Sequence, residues 1–299
     1  MQFAFFIEVL AGGLLAGVMY SLVALGFVLI YKASGVFNFA QGAMVFFAAL
    51  TFVSLVERGM NVWLALLVTL AVMVVLGLAT EKVVLRPLVN QPPITLFMAT
   101  IGLTFVLEGL SQLVWGSQPH GLELGIPDVP MEWLSQKTNI NISQFDLFAA
   151  GVAGILVAVL AVFFQKTRIG RALRAVADDH QAALAVGIPL KQIWGIVWAV
   201  AGFVALVAGL MWGVRNGVQY ALTFVALKAL PVLILGGFES ITGAIVGGLI
   251  IGAAEKLAEV YLGPYVGGGI ESWFAYVLAL VFLLVRPQGL FGEKIIERV

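Results

Sequence analysis

Apolar stretches free of charge recur along the chain, from Ala33 to Val56, Gly59 to Thr80, Leu147 to Gln165 and Gln192 to Val214. Each reaches or approaches the ~20 residues that a helix needs to cross the hydrocarbon core of a bilayer. Backbone groups in lipid must be paired within the segment, and these runs lack the alternation of barrel strands, so helices are expected. The pattern predicts spans near residues 5–31, 39–56, 61–81, 94–115, 146–165, 192–213, 222–237, 241–260 and 271–286. The run 222–237 is short and interrupted by Pro231, so a re-entrant half-helix, and a count of eight, is the alternative there. The expected fold is an all-α polytopic membrane protein of about eight to nine transmembrane helices, with interrupted or re-entrant segments, forming one transmembrane domain over residues 1–299.

Composition agrees: 62% of the 299 residues are hydrophobic and 11% charged, against roughly 45–50% and 25% in soluble domains. Lysines and arginines set the orientation. Lys166, Arg168, Arg171, Arg174 and Lys191 flank two spans, Lys82 and Arg86 follow the third, and Arg286, Lys294 and Arg298 come last, so all three clusters face the cytoplasm. The amino terminus then lies outside, and MQFAFFIEVLAGG, without a basic region or cleavage site, reads as the first span. Also outside is the stretch near 116–145, where Glu123, Asp128 and Glu132 oppose only Lys137 and Pro119, Pro127 and Pro130 predict an irregular loop.

A net charge of zero leaves no basic face for nucleic acid. The chain has no cysteine, and its two histidines, His120 and His180, fall in different loops. Neither a thiolate nor a histidine metal site is expected, nor any cofactor. No phosphate-binding GxxxxGK[ST] motif occurs, so any ATP is hydrolysed elsewhere.

A faint internal repeat sets ALGFVLIYKASGVFNFAQGAMVFFAAL, from Ala24, beside TFVALKALPVLILGGFESITGAIVGGLIIGAA, from Thr223. Each reads as an apolar segment with one lysine, a polar, glycine-rich turn, then a helix of small residues. Interrupted segments in matching positions of two halves point to a transport pathway. Asn38 and Gln41 place neutral amides at the first break, where they either line a route for a polar solute or cap the following helix. Lys228 and Glu108 lie within apolar runs, where a charge costs at least ~2.5 kcal/mol, so each should face protein or water. Asn38, Gln41 and Lys228 are the candidate pathway residues, with snorkelling or a structural hydrogen bond as the other reading of Lys228. Glu255, Lys256 and Glu259 read as interfacial. Glycines four apart, Gly13 and Gly17, Gly209 and Gly213, Gly243 and Gly247, Gly248 and Gly252, are read as helix packing.

The most specific segment is TRIGRALRAVADDHQAALAVGIPLK, Thr167–Lys191. Its alanines predict a helix from Gly170 to Ala185, stopped by Gly187 and Pro189, with Asp178 one turn after Arg174. Ala172, Ala175, Asp179, Ala182 and Val186 share one narrow face of small residues. Such a helix either docks into a groove on a soluble partner or lies solvated at the interface.

In FNFAQG, EKVVLRPL from Glu81, TIGLTFVLEGL from Thr100, RIGRALRAVADDHQAALAVGI from Arg168, LKALPVLILGGFESITGAIVGG from Leu227 and VRPQGLFG from Val285, taken in that order, the chain resembles the membrane permease subunits of bacterial ABC importers for branched-chain amino acids. The resemblance covers nearly the whole length. It implies that the loop near 166–191 carries the coupling helix that contacts the ATPase subunits, through Arg168, Gly170, Arg171, Arg174, Ala175, Asp178, Asp179, Ala182 and Gly187. It also implies a second related permease, two cytoplasmic ATPase subunits, a periplasmic binding protein and a place in the bacterial inner membrane. The permease itself would be no enzyme and hold no catalytic residue. At Gln41 and Ala43 the chain departs from the family pattern, where a histidine and an acidic residue are frequent, so urea, short amides or another small polar solute stand beside amino acids as substrates. An ion-coupled secondary transporter is the rival class. It would need acidic or histidine relays within the spans, where only Glu108 is a candidate. A membrane-embedded hydrolase would need a clustered nucleophile and base, and the sequence offers none.

Overall fold

The computed structural model describes residues 2–88, 91–138, 140–178 and 180–292. Lys294 and Arg298 of the last basic cluster, and Asp179, lie outside them. Helices run α1 Gln2–Ser34, α2 Gln41–Glu57, α3 Val62–Ala79, α4 Pro93–Trp115, α5 Glu132–Thr138, α6 Gln144–Lys166, α7 Arg168–Asp178, α8 His180–Ala185, α9 Leu190–Asn216, α10 Val225–Gly236, α11 Ile241–Val266 and α12 Phe274–Val285. Among the described residues there is no strand beyond two isolated bridges. The molecule is an all-α polytopic membrane protein. Among the described residues, six helices are long and apolar enough to cross a membrane, and the segments Gln41–Glu57, Tyr220–Gly236 and Phe274–Val285 are shorter apolar helices.

The chain divides into two compact units, one of Met1–Ala24, Leu124–Ala158 and Lys228–Val299, the other of Leu25–Glu123 and Val159–Leu227. In the second unit α2 is the centre: from Gln41 to Ser54 nearly every residue is buried, and α3, α4 and α9 pack around it. α3 starts at Asn61, whose side chain accepts from the Trp63 amide at 2.9 Å and so caps the helix. At its other end it widens into a π-helical turn, Thr80–Leu85. In the first unit, lipid provides no hydrophobic drive between helices, so backbone proximity has to supply the packing. Gly13 and Gly17 of α1 meet Gly252 and Gly248 of α11 so closely that a Cβ on Gly17 would lie 2.5 Å from the Gly248 carbonyl oxygen. Ser21 bridges the same pair of helices, donating to the Gly17 and Ile245 carbonyls at 2.9 and 3.2 Å.

Both halves of the sequence repeat form helix, break, helix. The first break lies between α1 and α2, residues 35–40; the second, residues 237–240, lies between α10 and α11, where Ser240 accepts from the Gly243 amide at 2.9 Å. α10 is 12 residues long, about 18 Å of rise, and it is preceded by a 3-10 turn, Tyr220–Phe224. Just before that turn, Val218 and His120 exchange backbone hydrogen bonds at 2.9 and 3.0 Å. At the far end, Leu290 and Phe291, beyond α12, donate to the Leu235 and Gly236 carbonyls at 2.8 and 3.1 Å. Pro231 lies within the continuous α10 and makes no turn there.

Three expectations need correction. The 116–145 loop is not wholly irregular, since α5 and the bridge between Pro130 and Ser143 lie within it. The loop helix begins at Arg168 rather than Gly170, because Thr167 accepts from the Gly170 amide at 3.0 Å and caps it. Glu255 is not interfacial: α11 continues to Val266, and Glu255 sits well inside it at 3% exposure.

Candidate functional site

Asn38 and Gln41, at the first break, are both fully buried. The Asn38 side chain accepts from the Ala40 amide and donates to Gln41 Oε1, each at 3.2 Å, with Met44 Sδ at 3.6 Å. It therefore turns the chain just ahead of α2, as an Asx turn does, while Ala40, the residue at the helix start, makes no side-chain cap. Gln41 presses its amide against Gly26 of α1, where any Cβ would overlap it, and its Nε2 finds no acceptor among the described residues. Thr100 of α4 ties the same break down, accepting from the Phe39 amide and donating to the Phe37 carbonyl, both at 3.1 Å. Phe37 stacks on Phe27 at 5.1 Å. The structure brings Asn38 and Gln41 together as a buried amide pair; Gly26 and Thr100, which hold them, carry no signal in the sequence beyond small size.

Lys228 belongs to the other unit, and its partner there is the Glu255 carboxylate at 3.0 Å. Tyr20 of α1 completes the group: its hydroxyl donates to Glu255 Oε1 at 3.5 Å, and its ring lies 5.9 Å from Lys228 Nζ. The lysine side chain is 37% exposed and the carboxylate 4%. Buried charges persist in apolar surroundings only when paired, which explains why Lys228 tolerates an apolar helix. Sequence reasoning misses Glu255 as this partner because it sits 27 residues away, beyond any helical periodicity. Further along α11, Lys256 pairs with Glu271, and Glu259 accepts from the Gly269 and Glu271 amides at 3.0 Å each.

Glu108 faces inward on α4 at 8% exposure. The Tyr220 hydroxyl donates to it at 3.4 Å, and Tyr220 also makes edge contacts with Phe46 and Phe224.

The loop helices α7 and α8 pack on α9, and Leu173, Val176 and Ala183 of these helices are buried. Gly170 is buried too, beneath the Phe163 and Phe164 carbonyls, where no Cβ fits. It therefore shapes the α6–α7 turn and presents nothing outward. Arg174 folds back to donate to the Gln165 carbonyl at 3.2 Å. Arg168 and Arg171 are exposed, Ala172 and Ala175 half-buried, and Ala182 and Val186 exposed. Of the predicted small face, Ala182 and Val186 are thus accessible and Ala172 and Ala175 partly so. Gly187, at φ +82°, ends α8 in the left-handed region that suits glycine. Among the described residues no group of three or more histidine, aspartate or glutamate side chains could hold a metal ion.

Broken apolar helices, paired charges within them and an amphipathic basic helix on a loop define a membrane transport component. The chain belongs to the family described as branched-chain amino acid transport system / permease component, whose model it matches over residues 9–286. It is similar to the high-affinity branched-chain amino acid transport system permease protein LivH of Escherichia coli (strain K12), 28% identical over 313 residues, 100% of this chain and 99% of that protein. It is likewise similar to BraD of Pseudomonas aeruginosa, a permease protein of the same description, 28% identical over 98% of each chain. The fructose import permease protein FruF of Bifidobacterium longum is 25% identical over 90% of this chain and 75% of that one. The protein is therefore a permease of an ABC importer, a multi-pass protein of the inner membrane that works with ATPase and binding-protein components.

Proposed function

We propose that this permease moves branched-chain or related amino acids into the cytoplasm, paired with a second related permease and served by a periplasmic binding protein. Two ATPase subunits dock on the cytoplasmic loop near 166–191, where Arg168, Arg171, Ala175, Asp178, Asp179 and Ala182 form the contact. Gly170, Arg174 and Gly187 hold that loop in shape. The loop near 116–145 meets the exterior. ATP is hydrolysed in the partners, and the permease, itself without catalytic residues, shifts between outward and inward openings that differ in affinity for the solute. The observation that carries this reading is the accessible side of α7: Leu173 and Val176 are buried, while Arg168, Ile169 and Arg171 are exposed and Ala172 and Ala175 half-buried beside them. Full-length likeness to permeases named for branched-chain amino acids supports the substrate class. Lys228, with Asn38 and Gln41, belongs to the route. Affinity purification from the native membrane tests the assembly: two ATPase-sized subunits and a second permease should co-elute. A permease that transports in their absence would contradict it.

A further inference from the structure

The Lys228–Glu255 pair is not saturated. Nζ carries three N–H donors and an ionised carboxylate about four lone-pair sites, yet among the described residues Lys228 makes one hydrogen bond and both bonds to Glu255 fall on Oε1. Two donors and the oxygen Oε2 therefore have no protein partner among the described residues. Lys228 is partly accessible while Glu255 is enclosed, so a solute reaches the ammonium first.

A zwitterionic amino acid carries the complementary set: one carboxylate to accept from Nζ and one ammonium to donate to Oε2. Its arrival changes the local charge by zero. Each of its charged groups meets an opposite charge that offsets part of the cost of leaving water, and no unpaired ion is left in these surroundings. A neutral solute can bond to either group but brings no opposite charge to it. We propose that Lys228 and Glu255 form a zwitterion-exchange site, in which the α-carboxylate of a passing amino acid binds Lys228, the α-ammonium binds Glu255, and the two side chains re-pair as the solute leaves. Tyr20, which donates to Glu255 and lies under the lysine, is the positioning residue that holds the carboxylate while its partner is engaged.

This inference rests on the amino-acid importer reading, and the test separates the two. The complete complex is reconstituted in liposomes with its binding protein, and leucine uptake, complex assembly and ATP hydrolysis are measured. Lys228→Met or Glu255→Gln alone strands a charge and risks misfolding, so the decisive variant is the double Lys228→Met/Glu255→Gln, which leaves no ion behind. It should assemble and hydrolyse ATP as the unmodified complex does, while leucine uptake falls roughly tenfold or more, the factor that loss of a charge-assisted hydrogen bond represents. Tyr20→Phe should raise the half-saturating leucine concentration and leave assembly intact. Leucine uptake by the double variant within about twofold of unmodified, a change too small for a lost charge-assisted bond, would overturn the site. Failure of the double variant to assemble would do so too, since the pair would then be structural. If the unmodified complex itself carries no amino acid, it is the importer reading that fails.

Discussion

Glu81 and Arg86 face each other across a single π-helical turn, with Arg86 Nε 3.1 Å from Oε1 and Nη2 2.7 Å from Oε2 of the carboxylate. In an α-helix residue 85 would stand over residue 81; the wider turn of Thr80–Leu85 brings position 86 there instead. The carboxylate is buried at 3% side-chain exposure, whereas the arginine is 37% exposed. That asymmetry predicts unequal costs. Arg86→Gln strands a buried carboxylate and should lower the Tm of the purified permease clearly. Glu81→Ala releases an arginine that reaches water, and should lower it less. Equal shifts would mean that the pair contributes nothing beyond side-chain packing.

The α1–α11 contact offers a steric test. Gly17 lies against the Gly248 backbone, and Gly252 against those of Gly13 and Gly17, so closely that neither tolerates a Cβ without movement of the helices. Gly17→Val should therefore cost at least the ~1–3 kcal/mol of ordinary overpacking. It should be read as loss of folded permease on size-exclusion chromatography. The same change at Gly12, which has open space around it, should be tolerated.

Asn38 is buried and bonded to its own helix start. Asn38→Ala should remove the bonds its side chain makes to the Ala40 amide and to Gln41 and destabilise by about 0.5–1.5 kcal/mol for each. Asn38→Ser keeps an acceptor at the same place and should recover most of that loss, as measured by thermal unfolding. Lowered transport at unchanged stability would mark the amide as part of the solute route.

The two faces of α7 and α8 predict opposite phenotypes. Ala175→Trp or Ala182→Trp, on the accessible face, should leave a stable permease that no longer retains the ATPase subunits. Val176→Trp, fully buried, should instead destabilise the permease itself. Identical behaviour of both faces would remove the docking assignment.

Topology can be read directly, because the chain has no cysteine. An impermeant thiol reagent outside intact spheroplasts should label Gln118→Cys and not Val186→Cys, both exposed positions. The reverse pattern would invert the orientation.

The range of each interaction decides whether it is legible in the sequence. Spans are readable because bilayer thickness and backbone pairing leave a run of ~20 apolar residues little choice but a membrane-crossing helix. The spacing of Gly13 and Gly17 against Gly248 and Gly252 likewise announces close packing, since small residues four apart lie on one helix face. Glu255 is out of reach: nothing local distinguishes a carboxylate that ends at an interface from one that meets Lys228 on another helix. Glu81 carries the same difficulty, because its pairing depends on a π-turn that periodicity of 3.6 does not foresee. Gly170 is legible as part of the right loop, yet its role is the close approach to the Phe163 and Phe164 carbonyls, a property of a tertiary turn. For Asn38 the sequence allows cap and route alike; its side chain accepts from the Ala40 amide in the turn before α2, a position one step short of a cap.

The central claim is that ATP hydrolysed in partner subunits drives an amino acid through this permease. It is tested most directly by labelled leucine uptake into liposomes holding the complete complex, with binding protein on one side and ATP on the other. The account predicts uptake that requires ATP and both ATPase subunits and is unaffected by a protonophore. Uptake that persists without ATP and collapses when the ion gradient is dissipated would contradict it.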